Sequence, residues 1–389
     1  MLSMPLLVFS HLRWDSVRQR PHHLLSRFAK DRRVVFVEEP VHDRHRGGHW
    51  EIERPEANLM VCRPHTPLPV PGFAAEQTTH LTPMLRDLRN EHLPDHYVAW
   101  LYTPLALPFV RPLRPDLLVY DCMDELSAFK FAPQSLVQWE DELLQEADLV
   151  FTGGPSLYAA RQHRHPHVHC FPSSVDSAHF AQARQPQQDP PDQAELRRPR
   201  LGFFGVLDER IDIELIGALS AARPDWEIVL IGPVVKIDSS ALPQAPNLHH
   251  LGARNYESLP GYLAGWDVCL LPFALNESTR FISPTKTLEY MAADKPIVST
   301  PVADVRSLYG EVVDICDTPE AFVAACERAL SPEQGERDRR RAAANRILAR
   351  TSWDNTVRSM LTLMAYSLQR KRRSSDSPSD QRSELSVAL

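Results

Sequence analysis

The sequence predicts an α/β protein built from two doubly wound parallel-sheet domains, and three observations carry that prediction. Short apolar runs alternate with helix-patterned segments through both halves of the chain, the pattern of parallel strands joined by crossover helices. The length, 389 residues, suits two domains of ordinary size, each with its own core. Between the halves, residues 181–199 (AQARQPQQDPPDQAELRRP) are polar and proline-rich and read as a linker. The domains are therefore expected at 1–180 and 200–350, followed by a helix at 351–369 and a disordered tail at 370–389.

Composition narrows the function classes. An apolar fraction of 43% and a charged fraction of 24% are those of a soluble globular protein. A net charge of −7 argues against a general nucleic-acid binder, whose phosphate contacts need a basic surface. The N-terminal apolar run is short, with no basic segment before it, and reads as a first strand rather than a signal peptide. No stretch approaches the ~20 apolar residues of a membrane span. Cys62, Cys122, Cys170, Cys269, Cys316 and Cys326 are scattered without a C-x-x-C pair, several in apolar surroundings, which fits reduced, buried thiols. A cytoplasmic protein follows as the default. His163, His165, His167 and His169 alternate on one face of an extended segment and could ligate a metal, but Pro166 and the neighbouring arginines fit a surface connection better. The same weighing applies to His42, His45 and His49, and no metal site is expected.

In the first half, residues 5–10 form an apolar strand, 11–20 a polar loop, and a helix starts at Pro21 with Leu24, Leu25 and Phe28 inward. Ligands of open parallel sheets bind outside the carboxyl ends of the strands, so this loop, with His11 in it and His22 just beyond, is expected to face a cleft. It lacks G-x-G-x-x-G. Residues 32–37 form the second strand, while 42–75 resist assignment beyond a strand near 58–62. Strands follow at 98–102 and 117–120, the latter ending in Asp121-Cys122-Met123-Asp124-Glu125. That acidic cluster is a candidate for contacting an acceptor hydroxyl, and equally a cap for the next helix. A strand at 148–152 and the turn Gly153-Gly154-Pro155-Ser156 complete the series.

In the second half, 200–205 is a strand and glycine turn, and 206–212 leads into a helix. Gly205 would let a backbone approach phosphate, with Arg210 supplying charge, although Gly202 and Gly205 serve packing equally well. Strands at 226–232, 247–252 and 267–272, with helical 256–263 between, give the second parallel sheet. In 276–300 (NESTRFISPTKTLEYMAADKPIVST), Ser283 can cap a helix that begins at about Pro284, with Thr285 and Lys286 in its first turn. A cation there opposes the helix dipole, a conflict that a bound anion would remove. Glu289 lies three residues on, placed to accept sugar hydroxyls while Lys286 faces phosphate; a solvated Lys286–Glu289 pair is the competing reading. Near the end, Ser352 caps a helix in which Trp353, Val357, Met360, Leu361, Met364 and Leu368 keep helical spacing.

Pro284-x-Lys286-x-x-Glu289-Tyr290-Met291-Ala292, then Lys295-Pro296-Ile297-Val298, resembles the donor-binding segment of the GT-B glycosyltransferases, in particular glycosyltransferase family 4. The segment 171–180 looks like the P-N-G-V-D-x-x-x-F stretch of that family, with Ser173 and Ser174 replacing Asn and Gly. The similarity covers most of 171–365 and only the general layout before it. It implies two Rossmann-like domains around a cleft, the helix at 351–369 crossing back to the first, and a nucleotide-diphosphate sugar as donor. Arg210 and Lys286 would stabilise the departing diphosphate. Gly205, Ser283 and Thr285 would lie against its oxygens, and Glu289 would hold the ribose. His11, His22, Asp121 and Asp124 are the candidates for positioning a saccharide or lipid-linked acceptor. The resemblance further implies retention of configuration, no cofactor beyond the donor, no catalytic metal, and a role in surface polysaccharide or glycolipid synthesis. Relatives often carry a second glutamate eight residues before Glu289, where this chain has Phe281. That departure keeps a non-catalytic partner subunit open as an alternative, alongside a GT-B sugar-nucleotide epimerase; a Rossmann oxidoreductase is disfavoured by the missing glycine fingerprint. The cluster Arg370-Lys371-Arg372-Arg373 offers peripheral contact with anionic lipid at the inner membrane face, against a solvated tail, which composition favours.

Overall fold

The computed structural model describes residues 3–45 and 47–375. Among the described residues, fifteen strands form two sheets. The first contains β1 (Leu6–Ser10), β2 (Val34–Glu38), β3 (Val41–His42), β4 (His49–Glu56), β5 (Leu59–Thr66), β6 (Val98–Leu101), β7 (Leu117–Cys122), β8 (Leu149–Thr152) and β9 (Val168–Cys170). Its order is β3-β5-β2-β1-β6-β7-β8-β9, all parallel, with β4 antiparallel on β5. The second contains β10 (Arg200–Phe204), β11 (Glu227–Ile231), β12 (Leu248–His250), β13 (Val268–Leu271), β14 (Ile297–Ser299) and β15 (Asp314–Ile315), in the order β12-β11-β10-β13-β14-β15. Each sheet therefore reverses direction beside its own first strand, β1 against β6 and β10 against β13, and a doubly wound sheet opens its crevice at that point.

The central strands are continuous apolar runs because helices cover both faces: every residue of β1, β2, β10 and β11 is buried. The expected helix near the C-terminus, Trp353–Ser375, lies on the first sheet, where Trp353, Val357, Met360, Met364 and Leu368 join Leu6, Val8 and Trp100 in one core. It returns the chain from the second domain to the first.

Residues 42–75, which in the sequence resist assignment beyond a strand near 58–62, hold that strand as β5 and the β3–β5 edge, whose cross-strand pairing no local periodicity announced. Two expectations are corrected. The stretch 181–199 is a packed strap rather than a free linker: Gln193 is fully buried, and its side-chain oxygen accepts a hydrogen bond from Trp266 Nε1 at 2.8 Å. Residues 370–375 continue the final helix, and Lys371 pairs with Asp148 at 2.8 Å, so the basic cluster starts on an ordered helix turn. The remainder of the tail expected as disordered, 376–389, lies outside the described residues. No helix among the described residues is long and apolar enough to cross a membrane. Cys170 is half-buried and the other five cysteines are buried, all of them free.

Candidate active site

The turn after β10 sits at the switch point of the second sheet. Gly205 has φ 139° and donates its N–H to the Ile231 carbonyl at 2.8 Å. Gly232, at the same place after β11, has φ 145°; a Cβ there would stand 1.9 Å from the Gly205 carbonyl oxygen. A Cβ on Gly205 would stand 2.2 Å from Lys286 Cε and 2.5 Å from Nζ. Two glycines thus let the turns stack and the Lys286 side chain lie on bare backbone.

Lys286 opens the helix Lys286–Ala292, two residues later than the sequence suggests. Thr285, not Ser283, flanks its start, and the Ser283 hydroxyl is buried without a partner. The Ser283 carbonyl instead accepts the Ser173 hydroxyl at 2.8 Å, and the Thr285 hydroxyl reaches Ser173 Oγ at 3.3 Å. Ser173 of the first domain thus holds this segment through its carbonyl rather than through a side-chain helix cap. The helix is fixed to β10 by Tyr290, whose hydroxyl accepts the Phe204 N–H at 3.2 Å.

The charges around this turn are unevenly matched. Lys286 is half-buried, 5.5 Å from the Phe203 ring centroid, and makes no ion pair with a described residue. Burial lowers its pKa, opposed by the Glu289 carboxylate and reinforced by Arg210. Glu289 is 7% exposed, and burial pushes its carboxyl up to about 7 against the pull of Lys286. Arg210, by contrast, is held by the Asp208 carboxylate through Nε at 2.9 Å and Nη2 at 2.7 Å, and lies 5.3 Å over the Phe129 ring of the first domain.

On the facing wall the structure sorts the four acceptor-side candidates. His11 follows β1; its Nδ1 is buried without a partner, and burial with Lys236 nearby lowers its pKa to about 4. Asp124 follows β7, half-buried, with its carboxyl pushed up to about 6 by burial while Arg210 pulls it down. These two meet the second domain's charges. Asp121 and His22 do not. Asp121 is fully buried and gripped by Arg20 through Nε at 3.1 Å and Nη2 at 2.9 Å. His22 donates from Nε2 to the Trp14 carbonyl at 2.9 Å, and its Nδ1 accepts the Gln19 N–H at 3.0 Å. Both are spent on the first domain's own loop, because each finds a fixed partner that sequence spacing does not disclose.

Sequence reading missed Lys236, Asp208 and Tyr256. Lys236 sits in the loop after β11 at φ 63°, 4.8 Å over Phe129, with no motif to mark it. Tyr256 stacks on His179 at 4.3 Å and lies under Arg18 at 5.0 Å, closing the cleft beside Glu289. Phe281, where relatives often carry glutamate, is half-buried and packs onto the core of the first domain. Among the described residues the histidines at 163–169 form no ligand cluster: His165 and His167 meet edge to face at 5.8 Å, but His165 binds the Ala147 carbonyl at 2.9 Å and His167 meets Arg370.

Residues 198–332 match the family model described as glycosyl transferases group 1. The chain is 24% identical over 279 residues to the putative teichuronic acid biosynthesis glycosyltransferase TuaH of Bacillus subtilis (strain 168), covering 66% of this chain and 69% of the relative. Among solved structures, sucrose-phosphate synthase from Thermosynechococcus elongatus superimposes with a TM-score of 0.73 at 15% identity, over 93% of this chain and 98% of its own. A trehalose-6-phosphate structure from E. coli bound with UDP-2-fluoro glucose superimposes with a TM-score of 0.66 at 14% identity, over 92% and 98%. Two sheets with Rossmann strand order give this chain the two-domain GT-B fold of these solved structures, and its second domain matches the glycosyl transferases group 1.

Proposed function

We propose that the cleft transfers a sugar from a nucleotide-diphosphate donor to an acceptor hydroxyl, with retention and without a catalytic metal. The observation that carries this reading is Lys286: a half-buried ammonium laid on the bare backbone of Gly205, without an ion-pair partner among the described residues. A cation whose charge burial disfavours gains most from an arriving anion, and a diphosphate is the anion of the right charge. Arg210, tethered by Asp208, supplies the second cation. Glu289 would accept the ribose hydroxyls. In the transfer the C1–O bond to the β-phosphate breaks, C1 bonds the acceptor oxygen on the same face, and the acceptor's proton passes to the leaving phosphate. Lys286 and Arg210 stabilise the charge that develops there. His11 and Asp124 position the acceptor. The likeness to a teichuronic acid glycosyltransferase supports a saccharide or lipid-linked acceptor in surface polysaccharide synthesis at the cytoplasmic side of a membrane.

The test is a thermal-shift panel of UDP, GDP, ADP, dTDP and CMP on wild type and Lys286→Ala. One nucleoside diphosphate at about a hundred times its dissociation constant should add about 2.7 kcal/mol to the wild type and much less to the variant. Transfer by the variant should fall about 10²–10³-fold with the fold intact. An unimpaired Lys286→Ala enzyme would overturn the site. Phe281 favours a second reading, a non-catalytic subunit, which would show nucleotide binding without transfer or hydrolysis.

A further inference from the structure

The edge of the first sheet carries a cluster that the transferase reading does not use. Asp43, His49 and His65 each offer a ligand atom within 4.8 Å of the other two. Topology brings them together. His49 and His65 are direct partners across the antiparallel β4–β5 pair, so both side chains leave the same face of the sheet. Their rings stack at 4.6 Å with an interplanar angle of 16°. Asp43 is tied beside them by its N–H, which donates to the Thr66 carbonyl at 2.8 Å. All three are half-buried.

Each is also oriented by an outer partner. His65 donates from Nε2 to Glu51 Oε2 at 3.0 Å, which leaves Nδ1 with its lone pair. His49 donates from Nδ1 to the Gly47 carbonyl at 3.2 Å, which leaves Nε2. Asp43 Oδ1 accepts the His45 N–H at 2.9 Å, which leaves lone pairs on the carboxylate. Glu51 is itself held by Arg63 at 3.3 Å. Carboxylates and carbonyls that fix the second nitrogen of a ligating histidine are the usual outer shell of a metal site. A stacked pair of surface histidines has no need of all three arrangements.

We propose that Asp43, His49 and His65 bind a divalent transition-metal cation of the zinc class. Two imidazoles and one carboxylate suit zinc, nickel or copper, whereas calcium and magnesium take oxygen ligands. The ion joins the segment before β4 to β5 and so closes an edge that strand pairing alone leaves short. It stands apart from the donor turn after β10, which belongs to the other sheet, and β5 is four strands from β7, which Asp124 follows, roughly 19 Å at the usual strand spacing.

The test uses the full-length, tag-free chain stripped with a chelator, titrated with Co²⁺ in the visible and with Zn²⁺ by calorimetry. Expected are one saturable equivalent and ligand-field bands of a nitrogen- and oxygen-coordinated ion. The double variant His49→Ala/His65→Ala should lose that equivalent, and Asp43→Asn alone should weaken it by about tenfold or more. Glu51→Gln, which touches only the outer shell, should weaken it about 10–100-fold. The metal-free unfolding midpoint of each variant checks that it folds. A control double variant, His163→Ala/His169→Ala, should keep the full equivalent. No saturable binding by wild type, or an equivalent undiminished in the His49→Ala/His65→Ala chain, would overturn the site.

Discussion

Glu289 shows how a single buried carboxyl ties stability to function. Burial raises its pKa from the ordinary carboxylate range to about 7, so between those values the folded chain holds a proton that the unfolded chain has released. Its contribution therefore turns against the fold as pH rises through that window, and the cost is complete above about 7. Glu289→Gln stays neutral throughout. Urea unfolding of both proteins at about pH 5 and about pH 8 should show the wild type losing stability relative to the variant at the higher pH. The same substitution removes a charged acceptor from the proposed ribose contact, at a cost of about 1.5–3 kcal/mol of nucleotide affinity. Calorimetry should therefore find the nucleoside diphosphate bound about 10–100-fold more weakly. A variant more stable at the higher pH and poorer at binding is the pattern of a residue kept for its ligand.

At the scale of an element, the turn after β10 and the final helix place the cleft. Gly205→Ala would put a Cβ 2.2 Å from Lys286 Cε on a backbone at φ 139°, so the lysine must leave the turn and the backbone strain, costing about 1–3 kcal/mol, must be relieved. The expected outcome is loss of nucleoside diphosphate stabilisation in the thermal-shift panel with the secondary structure unchanged by circular dichroism. In the helix Trp353–Ser375, Trp353 is fully buried and stacks on His23 at 4.9 Å with its ring plane 4° away. Trp353→Ala should cost about 3–5 kcal/mol, read as a fall in the urea midpoint. Its neighbour Asp354 pairs with Arg27 at 3.3 Å, so the helix holds the first domain by charge as well as packing.

Across the whole molecule, the domains meet through short polar contacts as much as through apolar surface. Asp304, 2% exposed in the helix Ala303–Tyr309 of the second domain, accepts the Ser156 N–H of the first at 3.1 Å. Its other carboxylate oxygen would meet a Cβ on Gly154 at 2.1 Å, which explains a glycine at that point. Ser173 to Ser283 is a second such link. Neither is strong, and the proposed transfer requires the cleft to admit a donor. Asp304→Ala should shift the ligand-free chain toward an opener form, seen as a larger radius of gyration in X-ray scattering, with the nucleotide-bound form less affected.

The sequence by itself determined the doubly wound class and the central strands of both halves, and it singled out Gly205, Lys286 and Glu289 as candidates. Each rests on local rules, namely apolar runs, turn glycines and helix spacing, and on a motif contained within one stretch of chain. Tertiary structure decided which charged groups are free to act. Asp121 and His22 look as available in the sequence as Asp124 and His11, but Arg20 and the loop ending at Gln19 claim them. Lys236 reaches the Phe129 ring from a loop without a signature, Tyr256 comes under Arg18 from a helical turn that no motif marks as a site, and His49 meets His65 only because β4 folds back on β5. Partner identity over long sequence separations is set by packing, and a one-dimensional pattern has no means of recording it.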